Sequence, residues 1–124
     1  MAAEWTRLCR EGDLRVAEPH VDVSFADDRR HRVTVVDAGE AYHISALVVR
    51  QAVVAGIEDL PVRVWIRNRA MDLVGFRIDL RNRLVAEAWV PKTGLTPDEF
   101  QLFVRTVATE ADRFEFVLTG RDVE

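Results

Sequence analysis

The sequence predicts an α+β fold in which one antiparallel sheet is flanked by helices, in the order α-β-β-β-α-β-β-α. Apolar residues alternate with polar ones in two groups of short runs, a helical segment separates the groups, and a long apolar stripe at helical spacing follows residue 96. The chain has 124 residues, which is the length of one domain. We therefore expect a single domain over residues 1–124.

The first half of the chain is predicted to hold one helix and three strands. Residues 3–11 form the helix, with Trp5 and Leu8 on the same side. Apolar residues then alternate in three runs: Val21, Val23 and Phe25; Val33 and Val35; and Tyr42, Ile44, Ala46 and Val48. Short connections between such runs favour an antiparallel meander, and Pro19 confines its start to an edge or a bulge. Residues 48–60 stay open between a long strand and a loop.

The middle segment fits two structures. The apolar residues from Val62 to Ile66 alternate as they would in a strand. Asp59, however, is a good N-cap, and Pro61 is well placed in a first helical turn. We choose a helix over about residues 60–70.

A second hairpin follows this helix. Its first strand carries apolar residues at every second position: Val74, Phe76, Ile78 and Leu80. The residues "RNR" make the turn, and "LVAEAWV" returns as a strand until Pro91. We expect this hairpin to be the firmest strand pair of the protein.

The stretch "GLTPDEFQLFVRTVATEADRFEFVLTG" predicts the last helix. Thr96 is the N-cap, Pro97 occupies the first helical position, Glu99 completes a capping box, and Gly120 suits the C-terminal end. Seven apolar residues form one stripe: Phe100, Phe103, Val104, Val107, Ala108, Ala111 and Phe114. Burying each Phe stabilises by roughly 1.5–3 kcal/mol, so we expect the stripe to pack on the protein's own sheet.

Composition excludes several classes of protein. A hydrophobic fraction of 48% and a charged fraction of 31% are typical of a globular chain and exclude a disordered one. No window approaches the roughly 18 apolar residues of a membrane span, and the start of the chain has no secretory pattern. Cys9 is the only cysteine, which favours a reducing cytoplasm and a small buried side chain over a reactive thiol.

The sequence has no Gly-rich phosphate loop and no GxSxG, HExxH or CxxC motif, so we expect no enzyme, no catalytic residue and no cofactor. His20, His31 and His43 were the candidates for a metal site on adjacent strands, but nothing in their spacing brings three ligands together. We expect surface histidines and no metal. The acidic pairs Asp27-Asp28 and Asp37-Glu40 fall in turns, where solvated carboxylates are expected.

The arginines give the alternative functional hypothesis. Arg63 and Arg67 lie one helical turn apart, and Arg81 and Arg83 flank the turn of the second hairpin. Together they could contact phosphates as in a nucleic-acid-binding regulatory protein. Trp65 is the one aromatic residue interleaved with them for stacking on bases, and the formal net charge of −4 opposes general nucleic-acid binding.

Each of the three tryptophans has three possible roles, which we rank. For Trp65 and Trp89 we expect core packing first, a dimer contact second and base stacking last. Trp5 receives the same ranking and is expected to be the most exposed of the three.

The segment "VWIRNRAMDLVGFRIDLRNRLVAEAWVP" resembles the YbjN family of bacterial proteins, whose fold is that of type III secretion chaperones. Asn68 matches the polar end of that family's helix, and Phe76 and Asp79 match its hairpin strand. Ala111 and Asp112 match the Ala-Asp pair of its closing helix. The likeness extends over residues 60 to 120 and is topological over the first 58.

This resemblance implies a non-enzymatic, chaperone-like or regulatory module that acts as a homodimer. Sheet and helix surface would be offered to a protein partner or client of unknown identity. The dimer or partner interface expected from it is the middle helix, with Val62, Trp65, Ile66 and Arg69. Neither a membrane nor nucleic acid is the partner expected under this reading.

Overall fold

The computed structural model describes residues 4–9 and 12–120. Its elements follow in this order: a 3₁₀-helix (Glu4–Leu8), β1 (Leu14–Ala17), β2 (His20–Ser24), β3 (Arg30–Asp37), β4 (Ala41–Val49), α1 (Gln51–Ala55), α2 (Leu60–Asn68), β5 (Gly75–Ile78), β6 (Leu84–Pro91) and α3 (Pro97–Thr119). Both predicted groups of strands and both later predicted helices are present, so the α+β fold class is confirmed.

Six strands of the described residues form one antiparallel sheet in the order β1-β2-β3-β4-β6-β5. The first four are neighbours in chain order, and β6 joins the second hairpin to β4. The register pairs Val21 with Val33 and Val35 with Ile44, which puts the alternating apolar residues on one face. Strands β1 and β5 are the two edges of the sheet.

Strand β1 is an addition to the predicted three-stranded meander. It has four residues, of which Leu14 is buried and Val16 half-buried, and it pairs antiparallel with β2. Two alternating apolar positions are too few to be read as a strand from periodicity. Pro19 lies in the turn between β1 and β2, where its carbonyl accepts a hydrogen bond from the Val35 amide at 3.0 Å.

The prediction that Trp5 is the most exposed tryptophan is wrong. Trp5 is 2% exposed, and its ring centre lies 6.3 Å from that of Phe100 on α3. The Gln101 side chain donates a hydrogen bond to the Leu8 carbonyl at 2.6 Å and ties the 3₁₀-helix to α3. Residues 3, 10 and 11 of the predicted first helix lie outside the described residues.

Residues 48–60, which the sequence left open, contain the end of β4 and one short helix. Strand β4 takes up the start of residues 48–60, and α1 forms a single short helix before a turn leads into α2. Pro61 stands in the first turn of α2 as predicted, and Asp59 occupies the N-cap position without a side-chain hydrogen bond. The prediction of a helix over about residues 60–70 is confirmed.

Helix α3 begins with the predicted capping box. The Thr96 hydroxyl accepts a hydrogen bond from the Glu99 amide at 3.2 Å, and the Glu99 carboxylate accepts one from the Thr96 amide at 3.0 Å. Gly120 follows the helix with φ +74°, a left-handed conformation that favours glycine. The apolar stripe is buried apart from the half-buried Phe103, and α3 packs on β2, β3, β4 and β6. The stripe therefore covers the protein's own sheet.

The two faces of the sheet differ in character. The inner face, under α3, carries the buried apolar residues of the strands, except for Val85 of β6, which is buried on the outer face beside Leu47. The outer face carries side chains that are half-buried or exposed: His20, Asp22, Arg32, Thr34, Val36, His43, Ser45, Leu47, Arg77, Glu87 and Trp89. An antiparallel sheet tolerates one face in water, and the outer face is the one on which this sheet meets its surroundings.

We predict that Phe100→Ala lowers the free energy of unfolding by about 3–5 kcal/mol, because it leaves a cavity in the core. The Phe100 ring is fully buried and meets the Tyr42 ring edge-on, with ring centres 5.4 Å apart. Leu102→Ala on the exposed side of α3 is the control and should cost less than about 1 kcal/mol. Urea denaturation followed by circular dichroism measures both, and equal losses would contradict the assigned inner face of α3.

Candidate functional site

The outward side of α2 carries an exposed apolar stripe. Val62, Trp65, Ile66 and Arg69 stand at positions i, i+3, i+4 and i+7, so they share one side of the helix. Trp65 is 62% exposed, Val62 58% and Ile66 56%. The Arg69 guanidinium lies 5.1 Å from the centre of the Trp65 ring. The structure thus brings together the four residues singled out in the sequence, which we call the α2 stripe.

The opposite side of α2 is fixed to the protein. Leu60 and Val64 are buried there. The Asn68 side chain donates a hydrogen bond to the Phe76 carbonyl at 3.0 Å and accepts one from the Phe76 amide at 2.7 Å. These two bonds satisfy backbone groups of the edge strand β5 and hold α2 beside it. Because α2 is anchored by this side, the α2 stripe points away from the core.

The prediction that Trp65 and Trp89 serve core packing first is wrong. Leu60 and Val64 form the side of α2 that packs on the fold, and Trp65 lies on the opposite side of the helix. Trp89 is 58% exposed because it occupies an outward position of β6. Its ring stacks on that of His43 with ring centres 4.2 Å apart. The burial of both side chains depends on which sides of α2 and β6 the rest of the chain covers.

A second group of exposed apolar side chains lies on the outer face of the sheet. Val36, Leu47 and Trp89 are exposed there, and we call them the sheet patch. Val36 is the register partner of His43, and His43 is the register partner of Trp89. Val36, His43 and Trp89 therefore form a row across β3, β4 and β6. Leu47 lies farther along β4 on the same face.

An ion-pair network adjoins the sheet patch. The Glu87 carboxylate accepts hydrogen bonds from Arg77 at 3.0 and 3.1 Å, and the Nε2 atom of His43 lies 2.8 Å from it. Burial alone would raise the pKa of Glu87, but the hydrogen bonds from Arg77 and His43 outweigh it and hold the pKa below its usual value. Glu87 thus stays charged and orients His43 beneath Trp89.

The four arginines of the nucleic-acid hypothesis belong to two separate elements. Arg63 and Arg67 are on α2, and Arg67 folds over the Phe114 ring with its guanidinium carbon 4.5 Å from the ring centre. Arg83 pairs with the Asp79 carboxylate at 2.8 Å, while Arg81 is exposed in the turn between β5 and β6. Arg67 and Arg83 are therefore already engaged within the protein.

The Asp79 carboxylate organises that turn. One oxygen accepts hydrogen bonds from the Arg81 and Arg83 amides, each at 2.9 Å. Asn82 has φ +58°, the left-handed conformation that such a tight turn requires. Asn68 and Asp79 were matched to a family pattern in the sequence, and both serve here to fix the geometry around β5.

The three histidines do not meet. His20 and His43 lie on the outer face of the sheet, and the Nδ1 atom of His20 is 3.2 Å from the Thr34 hydroxyl. His31 lies on the inner side, and its Nε2 donates a hydrogen bond to the Leu47 carbonyl at 2.8 Å. Each side chain is half-buried, so part of each of the three imidazole rings reaches the surface.

His31 instead neighbours two acids of α3, which lie about 80 residues away in the sequence. A ring nitrogen of His31 and carboxylate oxygens of Asp112 and Glu115 lie within 4.8 Å of one another. Burial and the nearby Asp112 raise the pKa of Glu115 to about 7, against the lowering effect of Arg29. The spacing of Asp112 and Glu115 on one helical side was visible in the sequence, but their proximity to His31 was not.

Cys9 is a buried side chain, as the favoured reading of the sequence had it. It is 5% exposed and carries a free thiol. Burial raises the pKa of the Cys9 thiol to about 11, although Arg105 opposes the shift. A thiol with this pKa is almost entirely protonated at neutral pH.

No protein-family model matches the chain, and no curated protein matches its sequence. Solved structures do show its fold. A chain in the crystal structure of the ExsC–ExsE complex superposes with a TM-score of 0.60 at 18% identity, covering 94% of this chain and 89% of that one. A chain in the HopA1–SchA chaperone–effector complex gives a TM-score of 0.54 at 9% identity, with coverages of 95% and 89%.

These similarities confirm the secretion-chaperone-like α+β fold. At such identities they show the fold alone. Membership of the YbjN family stays a prediction. Among the described helices, none combines the length and the apolar character that crossing a membrane requires.

We predict that Cys9 reacts slowly in the native protein. At pH 8 a pKa near 11 leaves roughly a hundredfold less thiolate than an ordinary cysteine has, and burial further limits access. Iodoacetamide labelling followed by intact-mass spectrometry should show at least this slowing relative to the chain in guanidinium chloride. Labelling of the native protein at the denatured rate would contradict the buried position of Cys9.

Proposed function

We propose that this protein is a non-enzymatic protein-binding module, chaperone-like or regulatory, that acts as a homodimer in the cytoplasm. The dimer would present sheet and helix surface to a protein partner, without a cofactor. The observation that carries the proposal is the α2 stripe, since it exposes three large apolar side chains on a helix whose other side is already packed.

The α2 stripe has the composition of an interface core. Trp and Arg are enriched at interfaces, and Arg69 over Trp65 forms a compact pair of the two. In a twofold dimer the stripe of each copy meets the same stripe of its mate, so one apolar helix side serves both subunits. Full burial of Val62 and Ile66 would contribute up to roughly 1.5–3 kcal/mol each per copy.

The outer face of the sheet would receive the partner. The sheet patch offers Val36, Leu47 and Trp89 as apolar contacts, and an extended segment would pair with the edge strand β1, since α2 already covers the edge at β5. The two structural neighbours support this reading, because each is a complex in which a chain of this fold is bound to another protein.

The observations favour a protein partner over nucleic acid. Arg67 lies over aromatic rings and Arg83 is paired with Asp79, so two of the four candidate phosphate contacts are occupied within the chain. The outer face also carries the acids Asp22 and Glu87 beside its arginines. A surface of mixed sign attracts phosphate backbones less than a uniformly basic one does.

We predict that the wild-type chain elutes with a mass of about 28 kDa, twice the 14.1 kDa of one chain, in size-exclusion chromatography with light scattering. Trp65→Glu should raise the dimer dissociation constant by at least about 30-fold, because it puts two unpaired carboxylates into a hydrophobic interface. The variant should then elute at the mass of one chain.

Leu102→Glu, at an exposed apolar position on α3, is the matched control and should keep the mass of the wild-type chain. A folded Trp65→Glu chain that keeps the wild-type mass would exclude the α2 stripe as the dimer interface. The Trp89→Glu variant distinguishes the α2 stripe from the sheet patch as the dimer interface. If this variant elutes at the mass of one chain, the interface lies on the outer face of the sheet.

A second experiment addresses the partner. We predict that a pull-down with the wild-type chain recovers a stoichiometric protein that Leu47→Glu fails to recover, because a charge is placed in the sheet patch. Ser24→Glu, on the same face and outside the patch, should recover it as the wild-type chain does. Recovery of nucleic acid alone, reduced by Arg63→Ala with Arg67→Ala, would replace the proposal by the nucleic-acid alternative.

A further inference from the structure

A mixed cluster of metal-ligating side chains lies where β3 meets the second half of α3. His31 is an inward residue near the start of β3, and Asp112 and Glu115 stand one helical turn apart on α3. A ring nitrogen of His31 and an oxygen from each carboxylate lie within 4.8 Å of one another. All three residues are half-buried, so the cluster is sheltered but reachable from water.

The hydrogen bond of His31 is a second, independent observation. Its Nε2 lies 2.8 Å from the Leu47 carbonyl oxygen. Because a carbonyl can only accept, Nε2 must carry the proton, and Nδ1 of the neutral ring then holds a free lone pair. Metal-binding histidines are held in this way, with the non-ligating N–H donated to a carbonyl or a carboxylate.

The two carboxylates have unequal partners. Asp112 is held by Arg29, with nitrogen–oxygen distances of 3.0 and 3.2 Å. Glu115 makes no side-chain hydrogen bond with the described residues, although it sits next to Asp112. Arg29 also pairs with the Asp27 carboxylate at 2.7 Å, so one arginine serves three carboxylates, of which Asp112 and Glu115 are neighbours. A divalent cation would offset the repulsion between Asp112 and Glu115 more fully than Arg29 does, because Arg29 forms a direct ion pair with Asp112 and not with Glu115.

We propose that His31, Asp112 and Glu115 form a binding site for a divalent transition-metal ion, with Zn²⁺ as the preferred ion. One imidazole nitrogen and two carboxylate oxygens are a zinc donor set, and water would complete the coordination. Ca²⁺ and Mg²⁺ are less suited because they prefer shells made of oxygen alone. The site is independent of the dimer and of the protein partner proposed above.

The three ligand atoms must move slightly closer together to bind a zinc ion. Zinc ligands at about 2.0–2.2 Å from the ion stand roughly 3.4 Å apart in a tetrahedron. The separations here are at most 4.8 Å, and rotation of the unbonded Glu115 side chain supplies part of the closure. The bound ion would join β3 to α3 across the inner side of the sheet and so stabilise the folded state by mass action.

Isothermal titration of the untagged, chelator-treated chain with Zn²⁺ tests the proposal. We expect one ion per chain and a rise in the melting temperature with added Zn²⁺. His31→Gln and Glu115→Gln should each weaken binding at least tenfold, since each removes one of three protein ligands. His20→Gln and His43→Gln, with their rings on the outer face, are the matched controls and should bind as the wild-type chain does.

Three results would overturn the site. These are no Zn²⁺ binding by the wild-type chain, undiminished binding by both ligand variants, or an equal loss in the control variants, which would indicate adventitious binding to histidines. Ca²⁺ binding as tight as that of Zn²⁺ would remove His31 from the site. If His31→Gln fails to fold, Glu115→Gln decides, because its side chain makes no hydrogen bond that the described fold needs.

Discussion

The packing of α3 on the inner face of the sheet is the interaction on which the rest of the structure depends. A helix of 23 residues is roughly 35 Å long, enough to cross the sheet from β2 to β6. Its stripe supplies the large side chains that fill the core, with Phe100 against Tyr42 near one end and Phe114 against Phe76 near the other. One helix covers one face, so the sheet keeps its opposite face for contacts with water or with other molecules.

The position of α2 follows from that arrangement. Helix α3 takes the middle of the inner face, and α2 contacts the sheet at its edge, beside β5. Three contacts hold it there: the buried Leu60 and Val64, the paired hydrogen bonds of Asn68 to β5, and the guanidinium of Arg67 over the Phe114 and Phe76 rings. A helix seated at an edge has only part of its circumference covered. The α2 stripe is the part that the fold leaves outside.

Sequence signals predicted the elements whose causes are local. The capping box, Pro97 and the seven-position stripe of α3 lie within one continuous segment, and all are found as predicted. Sequence signals failed for features that depend on residues far away in the chain. Strand β1 owes its identity to pairing with β2, and the exposure of Trp65 and Trp89 depends on which sides the rest of the chain covers. His31 meets Asp112 and Glu115 across about 80 residues of chain, a distance that no local pattern spans.

Apolar periodicity reports that a side of an element avoids water, but not which molecule covers it. For α3 the covering molecule is the chain itself, and every stripe position confirms it by burial or half-burial. For α2 the same kind of spacing occurs on the outward side, while the inward side is already satisfied by other residues. The described residues of the chain do not cover the outward side chains of Val62, Trp65 and Ile66. This exposed apolar side is the physical basis of the proposal that a second protein surface packs against α2.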